Sequence, residues 1–369
     1  MRNILKPILI AGMTVALAVS CGNDGKTGRE LLTESLGASV QAGKIMYGHQ
    51  ADLCYGHSWK VEDAAGDALE RSDIKDVCGK YPAVLGLELG EIELGGPVSL
   101  DRVPFELIRR AAVKHVERGG VVTFSWHPRN ILTGGTAWDI SSDQVVASVL
   151  EGGENHEVFM GWLQTLGNFF DTLRDADGKL IPFIFRPWHE NTGSWFWWGQ
   201  KLCTTEQYKA LFRLTYEYLE GERGFDNIVW CFSPNLDVDA DGYMERYPGD
   251  DIIDIMGLDA YAYNGHEDGM EAACELFRSK LIPTLEYLYR LGKEHGKLIA
   301  LSETGLEGLT SPDWWTATLY PCIKDFPLVY VLTWRNAHDR AEHFYGPWKG
   351  FEYADDFVKF TEFDKIALL

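Results

Sequence analysis

The chain has 369 residues, 46% of them hydrophobic, enough for one large core or two modest ones. Its formal charge of −21 argues against nucleic acid or an anionic membrane surface as the partner and suits a neutral substrate. Thirteen Trp and sixteen Tyr are many for this length, a composition common among exported chains that bind glycans and also met in large cores.

The N-terminus reads as a targeting segment. Met1 to Lys6 carries positive charge, and Pro7 to Ser20 is apolar and small, too short for a stable membrane anchor. It ends Ala18-Val19-Ser20-Cys21, small residues before a Cys, which resembles a bacterial lipoprotein processing site, although Ala18 stands where Leu is usual. Cys21 is the expected lipidation site, residues 21–36 the expected tether, and residues 37–369 a single catalytic domain. Cleavage without lipidation is the alternative. The expectation is a protein anchored in a bacterial cell envelope, touching membrane only through its lipid. Six cysteines remain, and none forms a CxxC pair of the kind that binds zinc. Cys54 and Cys78 are nearest one another, but connectivity is not readable, and Cys231 lies in an apolar run as a buried thiol.

Short β-rich runs then alternate with segments of helical periodicity. The runs are Ile45–Tyr47, Ala83–Leu87, Val121–Trp126, Ile181–Phe185, Ile228–Phe232, Ile252–Leu258, Leu298–Ser302 and Val329–Trp334. Between them, Phe105–Val113 and Tyr208–Tyr216 place apolar residues at helical spacing, and Gly119-Gly120 and Gly296 punctuate helix ends. Eight strand–helix units predict a (β/α)₈ TIM barrel, an α/β fold. An open doubly wound sheet is the runner-up, but it usually carries a Gly-rich phosphate loop after its first strand, and none is present. In a barrel, polar residues at strand C-termini face the active-site mouth. Here those positions hold His49, Glu88, His127, Glu190, Asp259, Glu303 and Arg335.

The most informative stretch is Arg186-Pro187-Trp188-His189-Glu190, continuing to Gly193-Ser194-Trp195-Phe196-Trp197-Trp198-Gly199. A carboxylate follows a buried strand, and aromatic rings of the kind that stack on sugar C–H faces follow it closely. Glycoside hydrolysis needs two carboxyls flanking one bond. Glu190 follows the fourth strand and Glu303, in Leu301-Ser302-Glu303-Thr304-Gly305, ends the seventh, nearly opposite across an eight-stranded barrel. One must be ionised to attack and the other protonated to act as acid. Closeness and the Trp188–Trp198 cluster should raise the pKa of Glu190, while Arg335 and the Tyr261 hydroxyl are expected to keep Glu303 charged. No Asp, Glu or His cluster has convincing metal-ligand spacing, and the chemistry needs no metal or other cofactor.

At these residues the chain resembles glycoside hydrolase family 26, best known for β-1,4-mannanases, from about residue 40 to the C-terminus. Most relatives in the same barrel clan have Asn before the acid/base Glu; this family has His, as His189 here. The resemblance implies Glu190 as acid/base and Glu303 as nucleophile. It implies that His189 and Tyr261 orient the sugar or the nucleophile, and that His127, Trp138, Trp334 and Arg335 line the minus-side subsites. Trp195 and Phe232 complete the expected substrate contacts, and Glu88, His49 and His338 carry no assignment. The expected activity is a monomeric, retaining endo-β-1,4-mannanase acting on mannan or manno-oligosaccharides. The rivals are another β-glycanase (a β-1,3-xylanase or mixed-linkage glucanase), an exo enzyme releasing mannobiose, and a non-catalytic glycan-binding lipoprotein. Loss of either Glu would favour the last, and both are present.

Overall fold

The computed structural model describes residues 25–369, so Cys21 and the expected signal segment lie outside the described residues. Eight parallel strands form the centre: β1 (Ile45–Gln50), β2 (Val84–Glu88), β3 (Val121–Trp126), β4 (Phe183–Pro187), β5 (Ile228–Phe232), β6 (Ile255–Ala262), β7 (Leu298–Leu306) and β8 (Leu328–Thr333). Each pairs with its sequence neighbour, and β8 closes on β1 with Met46 opposite Tyr330 and His49 opposite Thr333. The helices are α1 (Gly28–Gln41), α2 (Asp73–Cys78), α3 (Phe105–Glu117), α4 (Val145–Val149), α5 (His156–Phe170), α6 (Thr205–Tyr216), α7 (Ala240–Glu245), α8 (Met270–His295), α9 (Tyr320–Ile323) and α10 (Ala354–Thr361). At least one helix follows every strand, so the fold is the expected (β/α)₈ barrel.

All eight expected runs contain a strand, Val121–Trp126 and Ile228–Phe232 with the expected limits and the other six with shifted ones. The sixth begins at Ile255 rather than Ile252, because Ile252 and Ile253 are buried in a turn and Asp254 receives an ion pair. Hydrophobicity alone does not separate a buried turn from a strand. Alternation then sorts side chains between two cores. Met46, Val84, Val121, Ile184, Val229, Ile255, Ala300 and Tyr330 fill the barrel, while their strand neighbours pack outward against helices. Phe232 is one of the outward set. It is fully buried against Tyr208, Tyr243 and Tyr247, so its expected place among the substrate contacts is corrected: the residue that points into the barrel here is Cys231.

The expected tether is also corrected, since helix α1 begins at Gly28 within it. Thr27 and Glu30 form a reciprocal capping box that starts the helix. Leu32 and Leu36 seal the floor of the barrel, packing with Met46, Val84, Val121 and Ile184. Arg29 fastens α1 beneath β5 and β6, bonding Asp254 at 2.8 Å, Glu220 at 2.9 Å and the Ile252 carbonyl at 2.8 Å. With only two of its three Leu buried, α1 has too thin an apolar stripe to stand out in the sequence. The six described cysteines are free thiols, and Cys231 is buried as expected. Among the described residues no helix is long and apolar enough to cross a membrane.

Because Leu36 is fully buried at the floor, Leu36→Ala should lower unfolding free energy by about 2–4 kcal/mol. Urea denaturation measures it, and activity at low temperature should be unchanged, since the site lies at the other end of the barrel.

Candidate active site

The C-terminal ends of the strands bring most of the expected residues together. On β4, alternation turns Ile184 into the barrel and Arg186 after it. Arg186 is 2% exposed and donates to Asp259 on β6 at 2.9 Å and to Glu303 on β7. A β-bulge makes this meeting possible. Leu258 pairs with Leu301, but Asp259 pairs with Glu303, leaving Ser302 as the extra residue. Ser302 bonds Asp259 at 2.8 Å, and Glu303 is re-aimed into the mouth beside it. The Tyr261 hydroxyl donates to the other Glu303 oxygen at 2.6 Å. Thus Tyr261 has its expected partner, whereas Arg335 does not. Arg335 pairs with Asp101 at 3.1 Å and lies by the Tyr55 ring and hydroxyl, and the cation on Glu303 is Arg186. Arg186 stands in the informative stretch, but a single charge closing an apolar run reads as a strand boundary. Its signal was its place in the alternation.

Past Pro187 the backbone is strained. Trp188 and Glu190 have φ of 57° and 51°, left-handed values that cost about 1–3 kcal/mol each. Surrounding bonds hold them there. The Trp188 indole donates to Thr215 at 3.1 Å and its carbonyl accepts from Tyr208 at 2.8 Å. Trp198 donates to the His189 carbonyl at 2.8 Å, and the Glu190 N–H donates to the Ser233 carbonyl at 2.8 Å. Trp188, Trp197 and Trp198 are completely buried and hold the turn from behind, whereas Trp195 is 41% exposed and its indole donates to Glu190 at 2.6 Å.

One carboxylate oxygen each from Glu190, Asp259 and Glu303 lie within 4.8 Å of one another, and the cation bonded to two of the three is the Arg186 guanidinium. Burial first, and then the neighbouring Glu303 charge, push the Glu190 carboxyl up to about 7, while the Trp195 indole, His127 and Arg186 oppose them. Asp259 is pushed up by burial, with Glu303 and Glu190 adding to it against Arg186.

The two expected histidines form a relay with a residue left unassigned. Glu88 is 4% exposed and takes hydrogen bonds from Ser125 at 2.5 Å, the Gly90 N–H at 2.5 Å and His127 Nδ1 at 2.8 Å. Burial works against its charge, but His127 and these donors hold its carboxyl below the usual range. His127 Nε2 lies 3.1 Å from His189 Nε2. Burial drives the His189 imidazole well below its ordinary range, and Arg186 and His127 add to this. Trp138, 49% exposed, stacks on His127 at 5.2 Å, and Trp334, half-buried, stands 6.4 Å from the same ring. His49 is buried against Asp52, and His338 lies edge-on to Tyr55. On the far side of Glu190 a cavity of about 270 Å³ opens between Trp195, Asn235, Tyr261, Tyr263, His266 and Lys280.

Two carboxyls, one bonded by a guanidinium and a phenol and one pushed up to about 7, lie in an aromatic-rimmed cleft. Residues 24–288 match Glycosyl hydrolase family 26. The chain belongs to that family. A solved GH26 β-mannanase from Bacteroides ovatus is 44% identical, covers 93% of this chain and 95% of its own, and superposes with a TM-score of 0.85. The chain is 26% identical to a mannan endo-1,4-beta-mannosidase of Bifidobacterium adolescentis over 96% of its length, and 29% identical to one of Bacillus subtilis over 52%. It spans 37% and 54% of the length of those two relatives.

The Trp195 indole favours the charged form of Glu190, so Trp195→Phe should raise the Glu190 pKa. The alkaline limb of kcat/KM, expected near pH 7 with Trp195 in place, should then move to higher pH by about half to one unit. A pH–rate profile on soluble substrate measures it.

Proposed function

We propose that this family 26 chain is a retaining endo-β-1,4-mannanase. The observation that carries the reading is the Glu190–Glu303 pair, whose carboxylate oxygens lie within 4.8 Å. Retaining glycosidases hold their carboxyls about 5–5.5 Å apart, and inverting enzymes need room for a water between them. In the first step Glu303 attacks the anomeric carbon and forms an ester as the glycosidic bond breaks. Glu190, poised near pH 7, gives its proton to the departing oxygen. Esterification removes the Glu303 charge, which lowers the Glu190 pKa and fits it to take a proton from water. That water attacks the same carbon and releases Glu303. Arg186 and Tyr261 hold the nucleophile throughout. Mannan as substrate is supported by the relatives named above and by a cleft that pairs aromatic faces, Trp334 and Trp138, with polar groups, Arg335 and Asp101. Mannose differs from glucose in an axial hydroxyl at C2, and polar groups beside the ring are what detect it.

Early products of mannan digestion should be β anomers by proton NMR, and an initial α product would remove the retaining assignment. Glu303→Ala should abolish turnover of every substrate. Glu190→Ala should fail on polysaccharide yet still form the glycosyl ester from an activated aryl mannoside, with azide accelerating release. Faster hydrolysis of xylan or glucan than of mannan would leave a glycosidase but not a mannanase.

We further propose that Cys21 carries a lipid that tethers a monomeric enzyme to the bacterial envelope. The support is the sequence Ala18-Val19-Ser20-Cys21 after an apolar segment. Palmitate labelling should occur in the full chain and vanish in Cys21→Ala; an unlabelled full chain would mean simple secretion.

A further inference from the structure

The loop after β8 returns to the nucleophile through a residue with no part in the chemistry above. Tyr345 packs edge-on against Tyr261, with ring centroids 5.6 Å apart at 70°. Its ring also lies over Gly305, two residues past the nucleophile, where an added Cβ would stand 2.4 Å from Tyr345 Cδ1. From the other side, His343 meets the Tyr345 ring edge-on at 5.3 Å, and His343 Nδ1 bonds Glu307 at 2.6 Å, at the end of the strand that carries Glu303. The backbone beneath is fixed as well. Asn336, 1% exposed, accepts from the N–H groups of Tyr345 at 3.0 Å and Gly346 at 2.9 Å. Its own amide donates to Asp73 at 2.9 Å. Tyr345 is therefore set between a pinned backbone and a clamped histidine, with Tyr261 on its remaining face.

We propose that Tyr345 is a positioning residue: its ring holds the Tyr261 phenol in the orientation that donates to Glu303. A phenol on a strand end can swing away about its own side-chain torsions. The Tyr345 ring, seated over a glycine and packed against the Tyr261 ring, stands in that path. The role belongs to the ring and not to the Tyr345 hydroxyl, and it acts on the first chemical step, before proton donation by Glu190.

The test rests on the retaining reading and is built to fail separately from it. In the full enzyme, 2-deoxy-2-fluoro-β-mannosyl fluoride reports the nucleophile alone. Glu303 forms the ester bond to C1, fluoride leaves with the C–F electron pair, and no proton is needed. Tyr345→Ala should lower both kcat on mannan and the limiting inactivation rate about tenfold, within the coupling expected of touching residues. KM and the inactivator's half-saturation should change less than about twofold. Tyr345→Phe should restore both rates to within about twofold of the native enzyme. In a Tyr261→Phe background, Tyr345→Ala should cost less than a further twofold. Full additivity in that cycle, or native rates in Tyr345→Ala, would overturn the proposal. A raised KM that Phe does not rescue would make Tyr345 a substrate contact and overturn it too. If Tyr345→Ala does not fold, Tyr345→Leu carries the same cycle. A native enzyme that hydrolyses mannan yet resists the inactivator would count against the retaining reading, and the kcat cycle would still decide the role of Tyr345.

Discussion

The site depends on one guanidinium inside the barrel. Arg186 lies between the carboxylates of Asp259 and Glu303, and all three are nearly withdrawn from water. Burying a charge unpaired is prohibitive, and burying it with a partner is tolerable only if the remaining hydrogen-bonding positions are filled. Here Ser233 and Ser302 bond Asp259 and Tyr261 bonds Glu303, while Arg186 Nε is the one position of the triad's cation without a partner. Two carboxylates on one cation leave the cluster one negative charge in excess. Burial comes first in raising the Glu190 carboxyl towards neutrality, and the Glu303 carboxylate, less than 5 Å away, adds to it. One guanidinium thus ties together the carboxyls of β6 and β7 beside which Glu190 sits.

The aromatic stretch around Glu190 serves two ends that its composition does not distinguish. Trp188, Trp197 and Trp198 have no exposure and pack edge-to-face on one another at 5.2–5.5 Å. They hold a turn in which residues on both sides of His189 have left-handed backbone, an arrangement that persists only when its surroundings over-determine it. Trp195 alone turns to the cleft, where it touches the acid. A row of tryptophans that reads as a sugar platform is mostly the mounting for a carboxylate.

Much of this was legible from the sequence because parallel barrel strands, buried on both faces, read as apolar runs. Glu190 follows from its motif, and Glu303 from its place on the opposite strand. The failures have physical causes. Phe232 was expected among the substrate contacts, but the period of two sends it outward and Cys231 inward. Arg335 was given to Glu303 because both close strands, yet Asp101, from a loop after β2, claims it. The bulge at Ser302 leaves no mark in the sequence, since it is a property of the pairing with β6. Glu88 and Tyr345 act through neighbours that come together only when the barrel closes. Helix α1 is held more by the floor it covers than by its own periodicity.

That floor has a directional consequence. Leu32 and Leu36 plug the N-terminal end of the barrel, and Arg29 fixes α1 there, so the described chain enters the domain at the pole opposite the cleft. The cleft therefore opens away from the side on which the chain arrives, and nothing of α1 lies across the strand ends. The domain is polarised like a tool held by its handle.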